Sequence, residues 1–299
     1  MTDRLDGILG RLVDGAPIGE VEAAALASTA DILTLGMLAD EARRRRHGAA
    51  TTFVRVAEVE LPASGSAVVI PPAAREVRVH AAAADLAPRL SALHEIVKAA
   101  GAVPVSACSL ADLEAYARAG GRPLVGILRG IKGTGVASIA EAPLDRLENA
   151  ESALEAVREA GLGLARLTIE RPAEPAARLG LIRRAIDLQH ALGWLKSFAP
   201  LPRAWSAAAP TTGYEDVRQI ALARLLCDNI PSIQVDWALY GPKLAQVALT
   251  VGADDLDAVS AVDDDSEGRR RAPLEEVRRN IEAAALVPVE RDGVYGRTA

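Results

Sequence analysis

From residue 49 onward the chain alternates short runs rich in β-branched residues with longer runs of helical periodicity. Such alternation builds βα units, and it predicts a parallel sheet with helices packed on its outside. The strand candidates are Thr51–Leu61, Glu76–His80, Ala102–Cys108, Pro123–Arg129, Leu164–Arg171, Leu195–Leu201 and Ser232–Ala238, with an eighth near the turn Gly252-Ala253-Asp254-Asp255. Helices are predicted over Ala87–Ala100, Leu110–Ala119, Ala150–Ala160, Ala173–Leu192, Tyr214–Asp228 and Pro242–Val251, and a last one over Leu274–Ala285 after the acidic linker Asp263–Glu267. Seven or eight such units in about 250 residues point to a TIM-like (βα) barrel of the α/β class rather than to an open sheet. Residues 1–48 form a separate N-terminal helical extension. Leu5, Ile8, Leu9 and Leu12 make one apolar stripe, Ile32, Leu35, Leu38 and Ala39 a second, and Pro17-Ile18-Gly19 breaks between them.

Alternate side chains of a strand share a face, and both faces of a parallel barrel are buried. In Glu76–His80 the valines Val77 and Val79 take one face and leave Arg78 and His80 on the other. In the same way Leu167 and Ile169 oppose Arg166, Thr168 and Glu170, while Ile233, Val235 and Trp237 oppose Gln234 and Asp236. Polar residues repeated on one buried face imply a hydrated interior or mutual pairing. His80, Arg129, Glu170 and Asp236 stand nearest the C-terminal strand ends, where barrels carry their sites, and are the first pocket candidates. The other reading is an interior salt-bridge network, such as Arg166 with Glu170 or Asp236. Asp254 and Asp255 are further pocket candidates, with helix capping as the simpler role.

The net charge of −6 argues against a general nucleic-acid binder, since phosphate contacts need a basic surface. The basic run Arg43–Arg46 ends a predicted helix, where cations complement the dipole and are solvated. No run of about 18 apolar residues is present, so no membrane span is expected. The N-terminus lacks the basic-then-apolar pattern of a secretory signal, and a cytoplasmic location is expected. His47, His80, His94 and His190 have no paired metal-ligand spacing. Gly130-Ile131-Lys132-Gly133-Thr134-Gly135 has the glycines of an anion nest, though a plain turn is the commoner outcome for so loose a motif.

The segment 212–258 is the most distinctive in the chain. It reads Thr-Gly-Tyr-Glu-Asp, then Ala-Arg-Leu-Leu-Cys-Asp-Asn, Ile-Gln-Val-Asp-Trp and Gly-Ala-Asp-Asp-Leu. It resembles the C-terminal part of one radical S-adenosylmethionine (SAM) family, that of aminofutalosine synthase, dehypoxanthine futalosine cyclase and the deazaflavin-cofactor synthase subunit. The helix around 29–47 and the stretch Val289–Tyr295 resemble it as well, so the resemblance implies a radical-SAM-type barrel over 49–299, with the family's C-terminal region from about 205. It implies a four-iron four-sulfur cluster and SAM as cofactors, and chemistry in menaquinone or deazaflavin biosynthesis. The family's cluster motif, Cys-x-x-x-Cys-x-x-Cys after the first strand, is missing here. Its place is taken by the short stretch Ser64–Pro72, and the chain's two cysteines, Cys108 and Cys227, lie far apart and read as buried small hydrophobes. No cofactor is therefore expected. The expected role is a degenerate, metabolite-binding or accessory protein, partnered by an active radical SAM relative or a futalosine-type metabolite. A cluster-independent or still active menaquinone-biosynthesis enzyme is the alternative.

Overall fold

Strand β1 (Ala50–Glu60) is the longest in the molecule, and both ends of the sheet meet on it. In the computed structural model, which describes residues 8, 10–11, 18–61, 68–86, 89–204, 211–262 and 273–298, β1 is followed by β2 (Glu76–His80), β3 (Val105–Ser109), β4 (Ser138–Pro143), β5 (Gly163–Leu164), β6 (Leu167–Ile169), β7 (Ser197–Pro202), β8 (Ser232–Asp236) and β9 (Asp255–Ser260). Each pairs in parallel with the next, except that β5 and β6 lie in series beside β4. Pairing of β9 with β1 (Thr52 with Asp255, Val56 with Ser260) then closes a barrel of eight strand positions. A last strand, β10 (Val287–Glu290), pairs with the first residues of β1, beginning at Ala50 with Val287; β2 takes over further along, from Val56 with Glu76. β10 thus fills the seam below β2. The TIM-like expectation is met.

An outer helix open to solvent on one side buries one stripe, whereas Gly213–Leu226, covered by the N-terminal extension, is buried continuously over 219–225. In the helix Ala150–Glu159 the buried residues Ala150, Ala153, Leu154 and Val157 recur at one-turn spacing, and Asn149 caps its start by accepting from Ser152 N at 3.1 Å. The helices Glu20–Ser28 and Ile32–His47 pack outside the barrel on the helix Gly213–Leu226. Gly36 permits a close approach there, because a Cβ at that position would stand 3.0 Å from Val251 Cγ1 and push that side chain aside. Arg44, Arg45 and Arg46 of the basic run are exposed at the helix end, as expected, but Arg43 is not. Arg43 is fully buried against Asp40 and Gly48 O, and Arg46 reaches the carbonyls of Asp228 and Ile230.

The expected strand over Pro123–Arg129 is instead the helix Leu124–Gly133. Leu124, Ile127, Leu128 and Ile131 sit at i, i+3, i+4 and i+7, so helical burial outweighs the local β-branched content. The strand in question is Ser138–Pro143, one unit later. The glycine-rich run 130–135 is therefore the end of that helix, with Gly135 at φ 96°, and no anion nest. Trp237, expected within a strand, starts the helix Trp237–Leu249, with Asp236 as its N-cap. Leu5, Leu9, Leu12, Pro17, the linker 263–267 and the first part of the Ser64–Pro72 stretch lie outside the described residues.

Candidate functional site

Ion pairs stand at three levels along the barrel. At the floor, by the N-terminal strand ends, the fully buried Asp255 carboxylate accepts from Arg291 Nε at 2.6 Å and Nη2 at 2.7 Å, and from Gln234 Nε2 at 2.7 Å. Arg291 lies over the Tyr295 ring, 4.2 Å from its centroid, and the Tyr295 hydroxyl donates to Ala165 O at 2.7 Å. The tail following β10 thereby closes the floor.

At mid-height Asp257 Oδ1 accepts from Arg78 Nη2 and Asp257 Oδ2 from Arg166 Nη1, both at 2.8 Å. These three residues come from β9, β2 and the link between β5 and β6. None of those elements is a sheet neighbour of another, so the contacts must span the barrel. Arg78 Nε also donates to Glu76 at 3.1 Å, and Ser106 Oγ donates to the same carboxylate at 2.6 Å. Arg78, Arg166, Glu76 and Asp257 are each at most 2% exposed. Burial opposes the charge on Asp257, but Arg166, Arg78 and Arg291 together hold its carboxyl far below the ordinary carboxylate range. Burial, and then the neighbouring Arg78, pull Arg166 down from the usual guanidinium value.

The mouth, at the C-terminal strand ends, holds three separate charge groups, one pair and two triads. His80 Nε2 meets Glu58, which raises the imidazole above its ordinary pKa against the opposing effect of burial. Arg203 joins Asp236 (2.9 Å) and Glu141 (3.0 Å). Arg146 joins Glu170 (2.7 Å) and Asp112 (2.8 Å).

The sequence candidates are therefore distributed as follows. His80, Glu170 and Asp236 do stand at the mouth, each with a different partner. Arg129 does not: it lies on an outer helix, 60% exposed, paired with Glu159 at 2.8 Å. Asp236 also caps the next helix through Leu239 N at 2.8 Å. Asp254 caps no helix; it accepts from Ile233 N at 2.8 Å and Ser232 Oγ at 2.9 Å, pairs with Arg224, and ties β8 to the outer helix Gly213–Leu226. Asp255 sits at the opposite end from the mouth. Arg166 pairs neither with Glu170 nor with Asp236, which Arg146 and Arg203 already hold, but with Asp257. Asp257, Arg203, Glu141 and Arg291 escaped sequence reading; for Asp257 a signal existed, since it lies two residues beyond Asp255 on the same face of one strand.

A cluster held in the manner of the resembling family needs three converging thiolates. Cys108 closes β3 at the mouth, in a left-handed conformation (φ 64°), whereas Cys227 ends the helix that leads into the floor end of β8. Both are buried, and burial pushes both thiols up to about 12. Among the described residues no group of three or more His, Cys, Asp and Glu side chains is placed to hold a metal ion. The residues present do not fit such a cluster. Among the described residues, too, no helix is long and apolar enough to cross a membrane.

Comparison with known proteins agrees with this architecture. Residues 198–297 match the family model described as the CofH/MqnC C-terminal region. The chain is 35% identical over 133 residues to aminodeoxyfutalosine synthase of Thermus thermophilus, covering 40% of this chain and 36% of that protein. It is 40% identical over 93 residues to the 5-amino-6-(D-ribitylamino)uracil–L-tyrosine 4-hydroxyphenyl transferase of Methanoculleus marisnigri, so that these two matches span a quarter to about a third of the relatives' lengths. The transferase of the same name from Methanosphaerula palustris aligns over 90% of both chains at 27% identity. Among solved structures, methylornithine synthase superposes with a TM-score of 0.67 over 94% of this chain and 97% of its own, and the [FeFe]-hydrogenase maturase HydG with 0.65 over 96% and 76%, each at 11% identity. The chain is thus related in sequence to the radical SAM enzymes of the futalosine and ribitylaminouracil type, and its barrel has the fold of methylornithine synthase and HydG.

Proposed function

We propose that this chain is a degenerate relative of those enzymes that works without an iron–sulfur cluster, as a metabolite-binding or accessory protein. A fold carries an activity only through its site, and the site is where this chain departs from its relatives' pattern. One observation supports the reading above the others: the Arg78–Asp257–Arg166 bridge spans the barrel in a chain whose two cysteines stand at opposite ends. A barrel crossed at mid-height leaves its C-terminal mouth as the place for a metabolite, among Arg203, Asp236, Glu141, Glu58 and His80.

Calorimetric titration with SAM and with futalosine-type nucleosides tests the proposal. Binding of a nucleoside without SAM fits a metabolite-binding protein, and no heat with either fits an accessory role. Stoichiometric SAM binding that depends on added iron and sulfide overturns both.

A further inference from the structure

The run Thr212-Gly213-Tyr214-Glu215-Asp216 opens the helix Gly213–Leu226, and the fold accounts for its polar residues up to the last. Thr212 Oγ1 accepts from Glu215 N at 3.2 Å while Glu215 Oε2 accepts from Thr212 N at 2.9 Å, a reciprocal capping box. The Tyr214 hydroxyl donates to Ala30 O at 2.9 Å and ties the helix to the N-terminal extension. Asp216 has no such complete role. It is 5% exposed, and its Oδ1 has no hydrogen-bond partner. One turn on, Gln219 is 3% exposed and its Nε2 is unpartnered too. Both side chains line one cavity between the C-terminal ends of β6 and β7 and the two outer helices Pro175–Leu192 and Gly213–Leu226. Ile169, Leu181 and Leu201 make its apolar wall, and Arg178 stands at its side. The space open to the centre of a water-sized sphere is about 10 Å3, close to what a single water needs.

We propose that Asp216 and Gln219 form a binding site for one hydroxyl oxygen, which donates to Asp216 Oδ1 and accepts from Gln219 Nε2. A carboxylate only accepts and an amide nitrogen only donates, so the bound group must do both. An ammonium would leave Gln219 unsatisfied, and a carboxylate would be repelled by Asp216. Water and the terminal hydroxyl of a small molecule share the required chemistry and size. Buried polar groups are costly unless paired, which is why two of opposite sense in one small cavity mark a site rather than a packing accident. Burial raises the Asp216 carboxyl, with Thr211 and then Arg178 acting against that rise. The site lies outside the barrel interior and does not depend on what the mouth binds.

A high-resolution crystal structure of the full chain, purified without added ligand, is the test. The expected result is an oxygen within about 3.2 Å of both atoms. An isolated peak identifies water, and a peak continuous with further density identifies the hydroxyl of a retained small molecule. Absence of any oxygen there, with Asp216 and Gln219 turned to protein partners, overturns the proposal. A second readout does not need crystals. The melting-temperature losses of Asp216→Leu and Gln219→Leu are expected to be non-additive in the double variant, because one oxygen couples them; additive losses count against the site.

Discussion

Replacement of Asp257 by alanine is expected to cost about 3–5 kcal/mol of folding stability, the range seen when one partner of a buried ion pair is removed. The carboxylate is 1% exposed and is the acceptor for two guanidiniums that reach it from different sides of the barrel. Without it Arg78 keeps Glu76 and Glu58, but Arg166, 2% exposed, loses the carboxylate with which it is paired. Urea unfolding of the variant measures the loss. A triple replacement of Arg78, Asp257 and Arg166 by apolar residues should recover much of it, because the cost lies in stranding charges more than in losing their attraction. The pH dependence has a definite sign. The folded carboxyl of Asp257 lies below its unfolded value, so its contribution is complete above the unfolded carboxylate pKa of about 3.9 and disappears as pH falls through and below that value. Wild-type stability should thus drop in acid more steeply than that of Asp257→Asn. A loss below about 1 kcal/mol for Asp257→Ala would mean that the barrel is not braced at this point.

The second large effect is expected at Trp237. The indole is 7% exposed and belongs to the same core as Leu225 and Ile233, with Leu244 packed against that core. Trp237→Ala should cost about 3–5 kcal/mol through lost burial and the cavity left behind. Leu239→Ala, two residues on and 49% exposed, is the control and should stay within about 0.5 kcal/mol. A small loss at Trp237 would place the ring on a surface and make it available to a ligand.

The barrel was readable because burial of alternate strands and helices imposes two different periods on the sequence. Reading failed where those periods compete over a short stretch. Leu124–Gly133 is rich in Leu, Ile and Val, and only its i, i+3, i+4, i+7 spacing distinguishes it from a strand. Ser138–Pro143 holds a single β-branched residue, Ile139, and earns its strand from barrel closure. β10 is fixed by the open seam on β1, a tertiary feature with no local signature. The candidate site was legible in part. Strand alternation singled out Arg78, Arg166, His80 and Asp236 as polar residues on buried faces, but it carries no information on which side chains meet across a closed barrel. Arg166 finds Asp257 from 91 positions away, and Arg129 went astray with the strand to which it had been assigned.

Iron and acid-labile sulfide analysis after anaerobic reconstitution bears most directly on the central proposal of cluster independence. The protein should remain colourless and free of stoichiometric iron, because three thiolates are needed and the two present are buried at opposite ends of the barrel. A brown chromophore carrying stoichiometric iron and sulfide, and lost on Cys108→Ser, would contradict it.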